Sequence, residues 1–62
     1  MFEIGKRIKI NRPDSKILNG LTGVVTDVVR SVFDRNEVLD VEVKLDKNGK
    51  TINLYPEHLT IN

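Results

Sequence analysis

The sequence predicts an all-β fold of five short strands, with a 3₁₀ turn before the last strand. Apolar and polar residues alternate along most of the chain, a period of two that is typical of strands with one wet and one dry face. Three polar segments rich in turn-forming residues divide this pattern, at residues 11–20, 34–36 and 46–49. A chain of 62 residues is expected to be one domain, 1–62, with one small core.

The first and third strands are predicted by the parity of their apolar residues. In the first segment Phe2, Ile4, Ile8 and Ile10 share one parity. In the third segment the same is true of Leu39, Val41, Val43 and Leu45. The charged residues between them are then expected on the solvent face of the sheet, because successive side chains of a strand point to opposite faces.

The second segment, residues 21–33, fits both a helix and a strand by its apolar spacing. Its many β-branched residues, and Gly23 near its start, favour a bent strand. In a strand, Val25 and Val28 both face inward only if a bulge lies between them. In the stretch "NGLTGVV", Gly20 is expected to end the preceding loop with a positive φ, and Gly23 to permit a close approach of the neighbouring strand.

The last third of the chain predicts a hairpin, a short turn and a final strand. Asn48-Gly49 favours a type I′ turn, since both residues tolerate positive φ angles. Residues 52–54 continue the alternation in a fourth strand. Residues 55–58 interrupt it and predict the 3₁₀ turn, and residues 59–61 give the fifth strand.

A sheet this small has to close on itself to protect its edges and bury its inner face. The strand order and chain length predict a half-open SH3-like barrel, with an OB-fold as the alternative. The stretch "GKRIKI…NGLTGVVTDV" resembles the opening of SH3-like barrels with a KOW-type motif, in which a Gly-x-x-Gly-x-Val step begins the second strand. Gly20, Gly23 and Val25 match that step.

Three stretches, "GKRIKINRPDS", "VEVKLDK" and "LYPEHLTI", also resemble segments of the E-type peripheral subunits of photosystem I, another family of SH3-like barrels. Lys16-Ile17 stands where that family has an aromatic pair, and the connection before Leu39 differs. The resemblance implies the barrel fold. It also implies, as one candidate function, a photosystem-type peripheral subunit whose basic face assists the docking of a redox carrier.

Charge and composition limit the function classes. The net charge is +1, but residues 1–26 carry five basic and two acidic side chains, whereas residues 27–62 carry five basic and seven acidic ones. There is no cysteine, so no disulfide framework or thiolate metal site is expected. The start of the chain lacks a signal-peptide pattern, and no apolar run approaches about 20 residues. We therefore expect a cytoplasmic protein without membrane insertion.

No catalytic residue, metal site or cofactor site is predicted, and the chain is expected not to be an enzyme. His58, the only histidine, stands beside Glu57 in the predicted 3₁₀ turn and is better explained as a packing residue than as a base. Asp40 and Glu42 lie on the predicted solvent face of the third strand, so they are better explained as solvated side chains than as a pair for acid–base catalysis. The turn at residues 46–49 lacks the spacing and the terminal glutamate of a calcium loop.

Binding is the function class that remains. The leading prediction is a non-catalytic adaptor that docks on a larger protein or ribonucleoprotein assembly. Its predicted partner-binding residues are Arg12, Lys16, Ile17, Val32, Phe33 and Arg35. The alternative is a KOW-type protein that binds nucleic-acid phosphates through basic side chains. We refer to these residues as the basic group: Lys6, Arg7, Lys9, Arg12 and Lys16.

Overall fold

In the computed structural model, which describes residues 2–62, the chain forms five strands in one antiparallel sheet and one 3₁₀ turn. The strands are β1 (Arg7–Ile10), β2 (Thr22–Arg30), β3 (Val38–Leu45), β4 (Thr51–Leu54) and β5 (Leu59–Ile61), and the 3₁₀ turn is Pro56–His58. Their order across the sheet is β4-β3-β2-β1-β5. The predicted all-β fold and the 3₁₀ turn before the last strand are thus confirmed. Within residues 2–62, no helix has the length and apolar composition needed to cross a bilayer.

The second segment is a bent strand, as its β-branched composition predicts. The pairing of β2 with β3 shifts register between Val25 and Asp27, so Thr26 forms a bulge. Val25 is fully buried, and Val28 packs against the core from the other side of the bulge. The requirement for a bulge between these two valines is confirmed, since a regular strand would send them to opposite faces.

The core lies on one face of the sheet and consists of aliphatic side chains from all five strands: Ile8, Ile10, Val25, Val41, Val43, Leu45, Leu54 and Leu59. The parity prediction fails at two positions. Ile4 is 70% exposed because Glu3 and Lys6 close a turn with a 3.1 Å backbone hydrogen bond that places Ile4 at its apex. Leu39 is 47% exposed because a second register shift leaves it without a partner on β2.

The two glycines of "NGLTGVV" act as the sequence predicts. Gly20 has a φ of +85° at the end of the loop before β2. A Cβ atom on Gly23 would lie 2.5 Å from the carbonyl oxygen of Lys44 and 2.7 Å from a methyl carbon of Val43. Only a glycine allows β2 and β3 to approach this closely.

The turn between β3 and β4 differs from the predicted type I′ turn. Among residues 2–62 no residue other than glycine has a positive φ, so Asn48 does not, whereas Gly49 has a φ of +71°. The loop is longer than two residues, since the Leu45 N–H donates to the Lys50 carbonyl at 2.8 Å and the Gly49 N–H to the Leu45 carbonyl at 2.9 Å. Asn48 instead accepts the Lys50 N–H with its side chain at 3.0 Å, an Asx-type bond that stabilises the wider turn.

Candidate binding surfaces

The basic group is partly neutralised by ion pairs. Arg7 lies on the solvent face of β1 and forms a two-pronged ion pair with Asp46. Thr22 donates a further hydrogen bond of 2.6 Å to the same carboxylate. The Arg7 hydrogen bond, followed by that of Thr22, lowers the pKa of Asp46 below its ordinary value. The charge of Arg7 is therefore balanced on the surface of the sheet.

Arg12 is paired in the same way, within its own loop. Its Nη2 lies 2.9 Å from Oδ2 of Asp14, and its Nε lies 3.3 Å from Oδ1. This hydrogen bonding by Arg12 lowers the pKa of Asp14. Three members of the basic group, Lys6, Lys9 and Lys16, are exposed and form no ion pair with any residue in the range 2–62.

The loop between β2 and β3, residues 31–37, presents the most exposed apolar side chains. We call this loop the distal tip. Val32 is 82% exposed and Phe33 is 98% exposed. Ser31 is buried, and its Oγ accepts the N–H groups of Phe33 at 3.1 Å and Asp34 at 3.3 Å. Backbone hydrogen bonds hold the loop, so Phe33 is displayed on an ordered turn.

Arg30 connects the distal tip to the start of the chain. Its guanidinium donates hydrogen bonds of 3.2 Å to the carbonyl of Arg35 and 3.2 Å to the carbonyl of Phe2. The side chains with large exposed apolar surface in the distal tip and in the adjoining ends of β2 and β3 are Val29, Val32, Phe33 and Leu39. Single exposed apolar residues are normal on a protein surface, but a concentration of them at one end is typical of an interaction site.

The six predicted partner-binding residues fall into two groups at opposite ends of β2. Arg12, Lys16 and Ile17 lie in the loop that leads into Thr22, the first residue of β2. The other three lie in the distal tip that follows its last residue. Nine residues of strand separate the two loops, roughly 30 Å at strand rise. The structure therefore offers two separate surfaces.

A groove beside the 3₁₀ turn was not predicted from the sequence. It has a volume of about 300 Å³ and is lined by Arg12, Asp40, Asn53, Leu54, Tyr55 and His58. The Tyr55 and His58 rings lie with centroids 6.0 Å apart, and Asn53 Nδ2 donates to Asp40 Oδ2 at 2.6 Å. Arg12 comes near the turn because the Asn11 N–H donates to the His58 carbonyl at 2.7 Å, a long-range bond that no local pattern indicates.

The groove is lined by one histidine, His58, and one carboxylate, Asp40. The histidine ring packs near Tyr55, and the carboxylate accepts the hydrogen bond from Asn53. Within residues 2–62, no three histidine, aspartate or glutamate side chains converge in a way that could hold a metal ion. No family model matches the chain, and neither a curated protein nor a solved structure matches it.

Proposed function

We propose that this chain is a small non-catalytic binding module that docks on a larger protein through the distal tip, with Phe33 as the anchor. The observation that carries the proposal is the 98% exposure of Phe33 on a loop held by the buried Ser31 hydroxyl. Aromatic residues are enriched at protein interfaces. Burying a phenylalanine side chain is favourable by roughly 1.5–3 kcal/mol. The isolated chain does not bury the Phe33 ring, so this free energy is available for binding a partner.

The order of the loop favours binding for an additional reason. An interface loses affinity when a loop or a side chain has to be immobilised on association. The distal tip already has its backbone fixed by the Ser31 N–H to Glu37 carbonyl bond of 2.9 Å and the Glu37 N–H to Asp34 carbonyl bond of 2.9 Å. Phe33 is therefore presented in advance, and the remaining cost is the ordering of its side chain.

For the fold, we further propose that the sheet coils into a half-open SH3-like barrel. Three features support this proposal. β1 pairs with both β2 and β5, which brings the last strand back beside the first. The 3₁₀ turn joins the two edge strands, β4 and β5, and the turn packs against β3. A coiled sheet would cover a core that lies on only one of its faces.

Nucleic-acid binding is the second candidate. The observation in its favour is the exposure of Lys6, Lys9 and Lys16 without an ion pair in residues 2–62. Against it, Arg7 and Arg12 are both committed to carboxylates. The distal tip contains none of these lysines, so separate variants distinguish the two candidates.

The test is affinity isolation from the native host with the wild-type chain, Phe33→Ala and Ile17→Ala, with and without nuclease. Ile17 is a matched control because it is an exposed apolar residue in the loop at the other end of β2. We expect a protein that is retained after nuclease treatment, retained by Ile17→Ala and lost with Phe33→Ala. Retention by Phe33→Ala as strong as by the wild type would exclude the distal tip as the docking site.

A further inference from the structure

A second pocket lies at the end of the sheet opposite the distal tip. It has a volume of about 370 Å³ and is lined by Lys9, Ile10, Asn11, Asn19, Gly20 and Thr60. We call it the Lys9 pocket. This volume lies within the range of roughly 300–1,000 Å³ that is typical of small-molecule sites.

Three segments build the Lys9 pocket through long-range backbone pairing. β1 and β5 place Lys9 directly opposite Thr60. The end of the loop before β2 is held against β1 by the Gly20 N–H, which donates to the Ile10 carbonyl at 2.8 Å. The pocket therefore lies where two paired strands meet the end of this loop, and backbone hydrogen bonds hold the three segments together.

The polar groups that line the pocket are suited to an anion. They are an ammonium group, a hydroxyl group and side-chain amides, and no carboxylate is among the lining residues. The Oδ1 atom of Asn19 accepts the Arg12 N–H at 2.9 Å, which leaves its Nδ2 group as the donor that remains for a ligand. Lys9 is exposed and forms no ion pair with a residue in the range 2–62. The pocket thus has a net positive charge.

We propose that the Lys9 pocket binds a single phosphate group. A phosphate offers several acceptor oxygens in a compact shape, which suits a pocket whose lining residues supply ammonium, amide and hydroxyl donors. No aromatic ring lines the pocket, so a stacked base is not part of the recognition. With one lysine supplying the charge, the dissociation constant for the isolated ion is expected on the order of 1 mM. This site is independent of docking at the distal tip.

The phosphate can belong to a small phosphorylated molecule or to the backbone of a nucleic acid, and the test separates these sources. The ¹⁵N-labelled chain is titrated at constant ionic strength with inorganic phosphate and, separately, with an oligothymidylate that lacks terminal phosphates. We expect saturable shifts of the backbone amides of Lys9, Asn11, Gly20 and Thr60 and of the Asn19 side-chain amide. Saturation by inorganic phosphate alone assigns a small ligand, whereas tighter saturation by the oligonucleotide at the same amides assigns a backbone.

Three variants test whether the pocket itself is responsible. Lys9→Gln removes a charge-assisted hydrogen bond and is expected to weaken phosphate binding roughly tenfold or more. Thr60→Val removes only a hydroxyl at an exposed strand position, and a weakening of severalfold is expected. Lys47→Gln is the matched control, because Lys47 is an exposed lysine in the turn between β3 and β4.

The outcomes separate the Lys9 pocket from general attraction of anions to lysine. Any of three results would overturn the proposal: equal weakening of phosphate binding by Lys9→Gln and Lys47→Gln, shifts spread over all lysine-bearing segments, or a linear response without saturation. A thermal melt of each variant establishes that it is folded. Phe33→Ala is expected to leave the phosphate titration unchanged, so failure of the distal-tip proposal and failure of the phosphate proposal give different results.

Discussion

Arg30, the last residue of β2, donates a 3.2 Å hydrogen bond to the main-chain carbonyl of Phe2. The same guanidinium bonds the carbonyl of Arg35, so one side chain joins the segment before β1 to the distal tip. Both acceptors are backbone groups, which cannot move without displacing the chain. The backbone at Phe2 is thereby held beside the distal tip.

Removing this connection is expected to lower stability. Arg30→Ala loses two hydrogen bonds from a charged donor, and we expect a decrease of about 1–2 kcal/mol in the free energy of unfolding. Urea denaturation measures the decrease. The matched control is Arg35→Ala, because the exposed Arg35 side chain makes no hydrogen bond with residues 2–62 and a change within about 0.5 kcal/mol is expected. An equal loss in both variants would show that charge, and not the connection, is responsible.

The close approach at Gly23 predicts a large steric effect. In Gly23→Ala the added Cβ meets the Lys44 carbonyl oxygen at 2.5 Å, so β2 and β3 must separate. We expect a loss of about 3 kcal/mol or more in the free energy of unfolding. Gly20→Ala is the comparison, because a Cβ there meets nothing within 4 Å and only the positive φ costs about 1–2 kcal/mol. A larger loss in Gly20→Ala than in Gly23→Ala would contradict the role of close packing.

The ion pair between Arg7 and Asp46 predicts a dependence of stability on acid. The pKa of Asp46 is lowered in the folded chain by the Arg7 hydrogen bond and then by that of Thr22. A carboxyl group whose pKa is lowered by folding stabilises the folded chain at pH values above its pKa in the unfolded chain, about 4. This stabilisation is lost as the pH falls through the pKa of the folded chain. We therefore expect the melting temperature to decrease when the pH is lowered past about 4. We expect this decrease to be smaller in Asp46→Asn.

The control for the acid profile is Glu57→Gln. Glu57 is exposed and makes no side-chain hydrogen bond with the described part of the chain. Its substitution is expected to leave the slope of melting temperature against pH unchanged. If Glu57→Gln flattened the profile as much as Asp46→Asn, general carboxylate protonation would account for the decline.

The fold was more accessible to sequence reasoning than the binding surfaces, for a physical reason. Strand parity is a local property, so residues such as Val25 and Val28 indicate both the strand and its bulge. The failure at Leu39 comes from a second register shift, which depends on how β2 and β3 pair and leaves no local mark. The exposure of both Val32 and Phe33 likewise depends on the Ser31 hydroxyl, which caps the distal tip and fixes its direction.

Pockets are harder to predict because they form where distant segments meet. The Lys9 pocket requires Thr60 of β5 to lie beside Lys9 of β1, and neither residue indicates this pairing by itself. The parity of β1 does predict that Lys9 faces solvent. The sequence therefore indicates that the basic group is exposed. It does not indicate that two of its members, Arg7 and Arg12, form ion pairs. Asp46 reaches Arg7 from a distant part of the sequence, and Thr22 donates its hydrogen bond to Asp46.

The proposed role of Phe33 predicts a separation of stability from binding. A side chain that is 98% exposed contributes almost no packing, so Phe33→Ala is expected to change the free energy of unfolding by less than about 0.5 kcal/mol. Phe2→Ala is the matched comparison, because Phe2 is half-buried against the core and its truncation is expected to cost about 2 kcal/mol. Urea denaturation of both variants measures the difference. A loss above about 1 kcal/mol in Phe33→Ala would mean that the ring packs on the chain and is not held free for a partner.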